Sequence, residues 1–333
     1  MKFFILTLLN FSALAANCSD PYSFRLNLPQ EVKAIRHIAE IASANLINNT
    51  TYITNGNILR SRDSRKVKEQ GSASFLDASG RLLIEYADGS TSTCTGNLTD
   101  TETNRSSKII TSAEHCFVYK DKKGRRNNKN IVKSIIWETH TKFGKIQRRA
   151  TLLKSNRATD TAILELNKKV PFSKVKPFIL SSELNDQEPQ DIIDSYDGSG
   201  TLAGFSKDNI KGNKGESLTY TENLTWDEIE STLDPLGRKM SKVQAVSYGG
   251  ASGGALTMRL NEDASEDLYL DDNQGQHLLL GVSSNVKIQT GRGAQQESSV
   301  YKSNGTHGSP ETYVTSYKEF LDPSFSNYFD LNN

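Results

Sequence analysis

Short runs of β-branched and aromatic residues, separated by turn signals, recur along this chain from Phe75 onward. Helical spacing is rare in the same region, so the pattern predicts a fold built from many short strands. The clearest pair of runs flanks Asp88-Gly89, a dipeptide typical of a tight hairpin. The predicted strands are Leu82–Tyr86, Thr91–Leu98, Ile131–Trp137, Ile146–Leu153, Thr161–Leu166, Gly200–Phe205, Lys242–Val246, Ala255–Leu260 and His277–Val286. This arrangement favours an all-β sandwich or barrel, and periodicity alone does not decide between the two.

Two segments interrupt the strand pattern. The first, Ser206–Ser241, is polar, and it predicts a loop-like insertion with one short helix near Trp226–Leu233. The second, Arg259–Gln276, is rich in acidic residues, but their spacing matches no known calcium loop. We interpret it as a solvated hairpin tip, and we expect no bound metal.

Three motifs add reactive side chains to these strands. His115 follows an apolar, β-branched run, and imidazole is suited to act as a general base near neutral pH. Asp160 lies in an apolar frame, Ala158–Leu164, and Ser252 lies among glycines. Together they provide a base, a carboxylate that orients it and a nucleophile. A zinc site at His115 is disfavoured, because the other histidines have no metal-binding spacing relative to it or to the cysteines.

The order of these three residues resembles that of the trypsin/chymotrypsin family of serine proteases. In that family the histidine motif usually reads TAAHC, the aspartate lies in a DIAL-like strand and the serine lies in GDSGGP; this chain has TSAEHC, DTAIL and GASGGA. Leu279–Ser284 is similar to the strand that borders the substrate pocket, and Tyr313–Leu321 is similar to the segment before the C-terminal helix. The resemblance covers residues 70–322.

The resemblance implies an all-β fold of two six-stranded antiparallel barrels, with the active site in the cleft between them, a C-terminal helix and an N-terminal extension. It implies a serine endopeptidase whose triad is His115, Asp160 and Ser252 and whose reaction passes through an acyl-enzyme. The N–H groups of Gly250 and Ser252 would form the oxyanion hole, and glycine at 250 permits a tight turn and close approach of substrate.

The resemblance also indicates where substrate binds. Val246 falls at the base of the primary specificity pocket, and Ser284, Asn285 and Val286 fall beside it. Because the residue at the base is uncharged, we expect a preference for small or apolar residues before the cut.

Cys94 and Cys116 occupy the family's positions for a disulfide that would fix the backbone beside the catalytic base. Closing a loop of about 20 residues stabilises a fold by roughly 3 kcal/mol in the chain-entropy model. The alternative is a pair of buried thiols, which exported proteins seldom keep. Cys18 is left over, so it is free, removed with a propeptide or paired between chains.

The chain departs from the family pattern directly before the nucleophile. Ala251 replaces the usual aspartate, and no mature terminus similar to IVGG occurs between residues 60 and 80. In trypsin-like zymogens that aspartate binds the freed N-terminal amine and orders the pocket. Because both partners are missing, we expect any activation to proceed otherwise, for instance by propeptide removal. The alternatives to an enzyme are a catalytically inactive, protease-like binding protein and a secreted structural β protein.

The N-terminus has the three parts of a secretory signal. Lys2 precedes an apolar stretch, Phe3–Leu14, and small residues follow it. We therefore expect a signal peptide over residues 1–16 and a secreted or periplasmic product. The stretch is too short to span a bilayer as a mature helix, so we expect no membrane association.

Residues 17–70 differ in pattern from the rest of the chain. Apolar residues recur at helical spacing from Val32 to Leu46, and the basic stretch Arg60–Lys68 follows. We expect this stretch to be exposed and open to proteolysis. Two readings stay open, a propeptide removed near these arginines and an ordinary extension. The predicted domains are thus 1–16, the signal; 17–70, the extension or propeptide; 71–323, the protease domain; and 324–333, a C-terminal tail.

Composition and charge are consistent with this reading. The chain has 333 residues, a formal net charge of +1 and a mean hydropathy of −0.55. A nearly neutral chain gives no indication of nucleic acid as a partner. We expect protein or peptide substrates, no cofactor and a monomer.

Overall fold

Antiparallel strands account for most of the fold, as the sequence pattern predicts. The computed structural model describes residues 63–101, 106–118, 131–184, 186–234, 237–284, 301–303 and 306–329, all of which belong to one unit spanning residues 51–333. The predicted signal peptide, most of the predicted extension, Cys18, Asn285, Val286 and residues 330–333 lie outside the described residues. None of the helices in these ranges has both the length and the apolar character that a membrane crossing needs.

The strands overlap every run predicted from the sequence. Within the described residues they are β1 (Lys66–Val67), β2 (Ser79–Tyr86), β3 (Thr91–Asp100), β4 (Ser106–Ser112), β5 (Val132–Thr141), β6 (Gly144–Asn156), β7 (Thr161–Pro171), β8 (Phe178–Ile179), β9 (Gly200–Gly204), β10 (Thr219–Leu224), β11 (Ile229–Leu233), β12 (Lys239–Val243), β13 (Ser247–Tyr248), β14 (Ala255–Arg259), β15 (His277–Ser283), β16 (Tyr301–Ser303), β17 (Thr306–Ser309) and β18 (Thr312–Ser316).

Helices are few and short in the same part of the chain. The α-helices are α1 (Pro189–Ser195), α2 (Glu262–Asp267), α3 (Lys318–Leu321) and α4 (Pro323–Ser326). Single 3₁₀ turns occur at Ser74–Ala78, Glu114–Phe117, Ser182–Leu184, Asn213–Gly215, Trp226–Glu228 and Asp271–Asn273.

Six strands close a first antiparallel barrel in the order β3-β2-β5-β6-β7-β4, and β4 pairs back to β3. Side chains of β2 alternate between buried and partly exposed from Leu82 onward, the period of a strand with one face on a core. Trp137 is fully buried inside and donates its indole N–H to the Gly96 carbonyl at 2.9 Å. The predicted hairpin between β2 and β3 is confirmed, since Gly89 has a φ of +80° and Asp88 Oδ1 accepts from the Ser90 N–H at 2.9 Å.

The second half of the chain forms a further antiparallel sheet in the order β10-β9-β14-β15-β18-β12-β11. The short strand β1 pairs with β10 and brings this sheet to eight strands. In the described pairings its end strands, β1 and β11, are not hydrogen-bonded to each other, so the sheet stays open. The short strand β8 pairs in parallel with β3 of the barrel and with β15 of the second sheet. The mostly β fold with a closed six-stranded barrel is thus confirmed, and the second half contains more strands than the family pattern implies.

The predicted loop over Ser206–Ser241 is wrong, because this segment contains β10, β11 and the first residues of β12. The strands escape recognition because only one face of each is buried and that face is partly polar, as with Thr221 in β10. The helix predicted near Trp226–Leu233 is also wrong. A 3₁₀ turn stands there, with reciprocal capping bonds between Thr225 and Glu228, and β11 follows it with Ile229 as its one buried residue.

The acidic segment Arg259–Gln276 joins the paired antiparallel strands β14 and β15, so the predicted hairpin tip is confirmed, but it is much longer than a tight turn. It contains α2, whose N-terminus is capped by the Asn261 side chain accepting from the Ala264 N–H at 2.8 Å. Two carboxylates, Glu262 and Asp263, lie in the first turn, where they interact favourably with the free N–H groups. The position of Glu262 and Asp263 at the start of α2 therefore accounts for two of the acidic residues in this segment.

The two ends of the described chain form a short strand and two short helices. Residues 63–68, which the sequence analysis assigns to the extension, include β1, and β1 pairs with β10. The predicted C-terminal helix is divided into α3 and α4 at Asp322-Pro323. Proline lacks an N–H and suits the first position of a helix, and Asp322 caps α4 by accepting from the Ser324 N–H at 2.8 Å.

Candidate active site

His115 is held at the edge of the first barrel. The buried residues Ile109 and Ile110 anchor β4 against β7. The chain then passes through Ala113 into the turn Glu114–Phe117. The His115 side chain is 23% exposed, whereas the next residue is almost completely buried. The imidazole is therefore accessible while its backbone is fixed.

Asp160 binds both the ring and the backbone of His115. Its Oδ2 lies 2.8 Å from His115 Nδ1, and its Oδ1 accepts from the His115 backbone N–H at 2.9 Å. The carbonyl of Asp160 also accepts from the Glu114 N–H at 3.2 Å. Asp160 has a φ of +57°, a left-handed conformation that aspartate tolerates better than most residues. These contacts fix the ring orientation and favour the tautomer with a proton on Nδ1.

Two further side chains lie beside the Asp160 carboxylate. The Ser284 hydroxyl donates to Oδ2, and Arg238 Nη1 lies 3.9 Å from the same oxygen. Burial by itself raises the pKa of Asp160, but the hydrogen bonds from His115 and Ser284 outweigh it, so the pKa lies below its usual range. Arg238 is in turn held by Asp234, at 2.7 Å. Asp160 is therefore ionised at neutral pH.

Ser252 lies in a glycine-rich turn that is tied to both halves. Its carbonyl accepts from the Thr95 N–H of β3 at 2.8 Å, and the Gly253 N–H donates to the Ser283 carbonyl of β15 at 2.6 Å. Gly253 has a φ of +81°, and a Cβ there would overlap the carbonyl oxygen of Thr95. Glycine at this position is therefore needed for the turn to approach β3 so closely.

The predicted Cys94–Cys116 disulfide is confirmed, with a Cα–Cα distance of 6.1 Å. Its Cys116 Sγ lies 3.8 Å from the Ser252 carbonyl oxygen, so the residue after His115 contacts the serine backbone. In the part of the chain that the structure describes, the Ser252 hydroxyl and the His115 imidazole form no hydrogen bond. Such bonds often tighten only when substrate binds.

The backbone of the serine turn leaves two donors unused. The N–H groups of Ala251, Gly253 and Gly254 each donate to a carbonyl. Among the described residues, those of Gly250 and Ser252 donate to none. Two free, fixed N–H groups beside a serine are suited to bind a developing oxyanion.

Val246, the predicted base of the specificity pocket, is buried and lines a small cavity. No acidic side chain belongs to this lining, which consists of described residues: Arg65, Leu202, Ala203, Gly204, Ser206, Thr219, Tyr220, Thr221, Val246, Ser247, Ala251 and Ser283. Ser284, predicted to contact substrate, donates its hydroxyl to Asp160, and Asn285 and Val286 lie outside the described residues.

One charged residue of this region, Arg65, was not predicted from the sequence, and the prediction for its surroundings was wrong. Arg65 belongs to the stretch expected to be exposed, but it is 3% exposed. Asp63 and Asp208 bind its guanidinium, each at 2.7 Å, and two carboxylates compensate the cost of burying one cation. No spacing in the sequence pairs Arg65 with a residue as distant as Asp208. The basic composition of Arg60–Lys68 predicted that Arg65 would be exposed, whereas it is buried.

The fold and this arrangement of side chains define a trypsin-like serine protease, which is the class predicted from the sequence motifs. The model of the family described as lysyl endopeptidase, C-terminal domain, matches residues 63–268, more than half of the chain. The chain belongs to this family and is a serine-type endopeptidase that acts on peptide substrates. No curated protein sequence matches it.

Solved structures with a similar arrangement include three proteases at low sequence identity. The thermostable serine protease AL20 from an extremophilic microorganism is 12% identical with a TM-score of 0.47, over 78% of this chain and 100% of that chain. Protease Anisep from Arthrobacter nicotinovorans is 17% identical with a TM-score of 0.44, over 74% and 92%. HL collagenase is 17% identical with a TM-score of 0.46, over 83% and 98%.

Proposed function

We propose that this chain is an exported endopeptidase that cleaves peptide bonds with His115, Asp160 and Ser252 as its catalytic triad. The observation that carries the proposal is the buried Asp160 carboxylate, 2.8 Å from His115 Nδ1, with the turn of Ser252 packed against the residue after His115. A carboxylate in this position keeps the imidazole oriented and leaves Nε2 free as a base.

In the proposed reaction, the Ser252 Oγ attacks the carbonyl carbon of the scissile bond and its proton passes to His115 Nε2. Asp160 stabilises the imidazolium that forms. The C–N bond then breaks, and His115 gives its proton to the departing amine. Water, deprotonated by the same imidazole, attacks the acyl-enzyme and releases Ser252.

The oxyanion of each tetrahedral intermediate would be bound by the N–H groups of Gly250 and Ser252. Both are free of other acceptors among the described residues, which supports this role. Loss of one such donor costs about 3 kcal/mol of transition-state stabilisation in related chemistry.

For the substrate we propose small or apolar residues before the cut. The name of the matched family refers to lysine, and a buried ammonium group needs a carboxylate partner. The described lining beside Val246 contains none. Arg65, which belongs to this lining, is itself paired with Asp63 and Asp208, so those two carboxylates are already occupied. A panel of peptides that differ only in the residue before the cut tests this proposal, and a preference for lysine or arginine would overturn it.

Labelling with a fluorophosphonate probe tests the catalytic assignment. We expect the secreted protein to be labelled, and Ser252→Ala and His115→Ala to abolish labelling and hydrolysis. The matched control is Ser241→Ala, which removes a buried hydroxyl without a hydrogen-bond partner in the described residues, and which should label like the wild type. A folded wild-type protein that never reacts, even after limited proteolysis, would favour the protease-like binding protein.

Export and processing are part of the same proposal. Cleavage of the signal after residue 16, with or without removal of the segment before Asp63, gives distinct N-termini. N-terminal sequencing of material secreted by the native host separates the two, and a retained Met1 would contradict export through this signal.

A further inference from the structure

We propose that Arg65 is a positioning residue for the oxyanion loop, Tyr248–Gly250, and that it replaces the aspartate missing at position 251. The inference rests on the proposed function. It concerns three residues that we call the Arg65 cluster, namely Asp63, Arg65 and Asp208. The cluster contacts the loop through the ring of Tyr248 and through Lys207, the residue before Asp208.

The Arg65 cluster is a buried and fully bonded ion group. Arg65 Nε and Nη2 donate to the two Asp63 oxygens at 2.9 and 2.7 Å, and Nη1 and Nη2 donate to the two Asp208 oxygens at 2.7 and 3.2 Å. All three side chains are at most 2% exposed. Burial by itself lowers the pKa of Arg65, but the two carboxylates outweigh it and raise the pKa. Such a group is rigid, because its planar donors meet both acceptors at once.

Asp208 also fixes the turn that follows it in the chain. Its Oδ2 also accepts from the backbone N–H groups of Ile210 and Lys211, at 3.0 and 2.9 Å. Burial by itself raises the pKa of Asp208, but the bonds from Arg65 outweigh it, so the pKa is lowered and the acceptor stays charged. The residue before it, Lys207, donates its backbone N–H to the Gly249 carbonyl at 2.8 Å. One carboxylate therefore links Arg65 to the oxyanion loop through a single residue.

Arg65 contacts the other end of the loop directly. Its guanidinium carbon lies 4.9 Å from the centroid of the Tyr248 ring, within the range of a cation–π interaction. Tyr248 is completely buried, so the ring and the cation share one environment. The loop is thus held on one side through Tyr248 and on the other through Lys207.

Gly250 has no freedom to move independently of this support. It has a φ of +100°, and a Cβ on it would overlap the Phe205 carbonyl and lie 3.0 Å from Lys207 Cγ. The loop therefore packs against residues 205–207 with no space between them, and a shift of that segment shifts the Gly250 N–H. Ala251, whose methyl group offers no charge, lines the same cavity as Arg65.

This arrangement has a consequence for processing. The charge that orders the loop comes from a side chain within the chain, so no freshly released amine is needed. A cut after Arg65 would remove both Asp63 and the guanidinium from the folded domain. We therefore infer that any propeptide removal occurs before Asp63.

The test compares Arg65→Met and Arg65→Lys with Lys68→Met in the full-length, secreted protein. Lys68 belongs to the same segment and forms an ion pair with Asp77, at 2.5 Å, with side chains 11% and 9% exposed, and its ammonium group also donates to the His140 carbonyl of the first barrel. Active sites are counted by labelling with the fluorophosphonate to completion. kcat per labelled site, KM and the affinity for a peptidyl boronic acid, which forms a tetrahedral adduct on serine, are then measured.

We expect Arg65→Met to lower kcat per labelled site about 10- to 100-fold, because a displaced oxyanion donor loses transition-state binding. KM should change by less than about twofold, the boronic acid should bind more weakly in proportion to kcat, and Arg65→Lys should fall between. Lys68→Met should at most reduce the yield of folded protein, and its rate per labelled site should equal that of the wild type.

A wild-type rate per labelled site in both Arg65 variants would overturn the inference and leave a purely structural role. If Arg65→Met yields no folded protein, kcat per labelled site of Arg65→Lys decides between the positioning role and a purely structural role. An equal loss per site in Lys68→Met would also overturn it, because any buried ion pair of the segment would then have the effect. A wild-type protein that neither labels nor cleaves defeats the proposed function itself, and this outcome is distinct from the others.

Discussion

The two halves of the molecule hold their reactive residues by different means. His115 belongs to a barrel that closes on itself, and the Cys94–Cys116 disulfide fixes the next residue covalently. Ser252 belongs to a turn on a sheet that stays open in the described residues. Backbone hydrogen bonds and the Arg65 cluster fix that turn.

Because of this difference, we expect the two halves to respond differently to pH, salt and reductant. A disulfide and a closed barrel respond little to pH or salt, but they respond to reductant. A buried group of one cation and two carboxylates responds to acid, because protonation of Asp208 weakens the bonds that it accepts from Arg65 and from the backbone N–H groups of the neighbouring turn. The base and the nucleophile should therefore lose their positions under different conditions.

The largest effect is expected from Asp160→Asn. The amide would present its NH₂ group to the ring and favour the wrong tautomer of His115, so kcat should fall by about 10⁴-fold with the fold intact. Kinetics at neutral pH and circular dichroism check this. The matched control is Asp197→Asn, at an exposed residue that has the same left-handed backbone with a φ of +46°. A loss of less than tenfold at Asp160 would contradict its role in the triad.

Removal of the disulfide should have the next largest effect. For Cys94→Ala/Cys116→Ala, which opens a loop with a sequence separation of 22 residues, we expect a loss of about 3 kcal/mol in the free energy of unfolding. Urea unfolding of this variant and of the wild type with and without reductant measures it. Reductant should lower the midpoint of the wild type and leave that of the variant unchanged. An unaffected wild type would mean that the loop closure contributes nothing.

Asp208→Asn should be destabilising to an extent that depends on pH. The pKa of Asp208 is lower in the folded protein than in the unfolded chain. Its contribution is therefore complete above the unfolded pKa, near 4, and is lost as pH falls through the folded value. At pH 7 we expect a loss on the order of 3 kcal/mol, and the gap to the wild type should narrow below pH 4.

Urea unfolding at pH 7 and at lower pH checks this prediction. The control Asp194→Asn changes an exposed carboxylate and should match the wild type at each pH. A gap for Asp208→Asn that stays constant or widens in acid would contradict the assigned sign.

The smallest effect is expected where the second sheet contacts the turn of Asp160. The Thr315 hydroxyl of β18 donates to the Thr159 carbonyl at 2.9 Å. Thr315→Val keeps the shape but loses this bond, so we expect a loss of about 1 kcal/mol and a decrease in kcat of at most a few fold. Thr232→Val, which removes only a 3.4 Å contact to its neighbour, serves as the control. Equal values for the two variants would show that the bond across the halves is neutral.

The residues with local signatures could be predicted from the sequence. His115, Asp160 and Ser252 each lie in a short motif, and the hairpin at Asp88-Gly89 requires a backbone that glycine provides. The pairing of Cys94 with Cys116 followed from the family resemblance. In each case, the information lies within a few residues or in a pattern of known order.

The parts that escaped prediction depend on contacts distant in sequence. β10 and β11 are polar strands: β10 buries two threonines on its inner face, and β11 buries only Ile229. Arg65 looks exposed by composition, since its two carboxylate partners become neighbours only after the chain has folded. The donation from Ser284 to Asp160 likewise joins two strands that no local pattern relates.

The two-residue strand β8 has a practical consequence for dividing the enzyme into fragments. In the sequence β8 lies between the two halves, where a two-domain protein would ordinarily be divided into two fragments. However, Phe178 and Ile179 pair with Thr99 and Asp100 of the barrel, and Ile179 also pairs with Leu278 of the second sheet. A cut at β8 would disrupt its pairing with β3 of the barrel and with β15 of the second sheet. The turn around Phe143, which is 63% exposed between β5 and β6, is the better point of division.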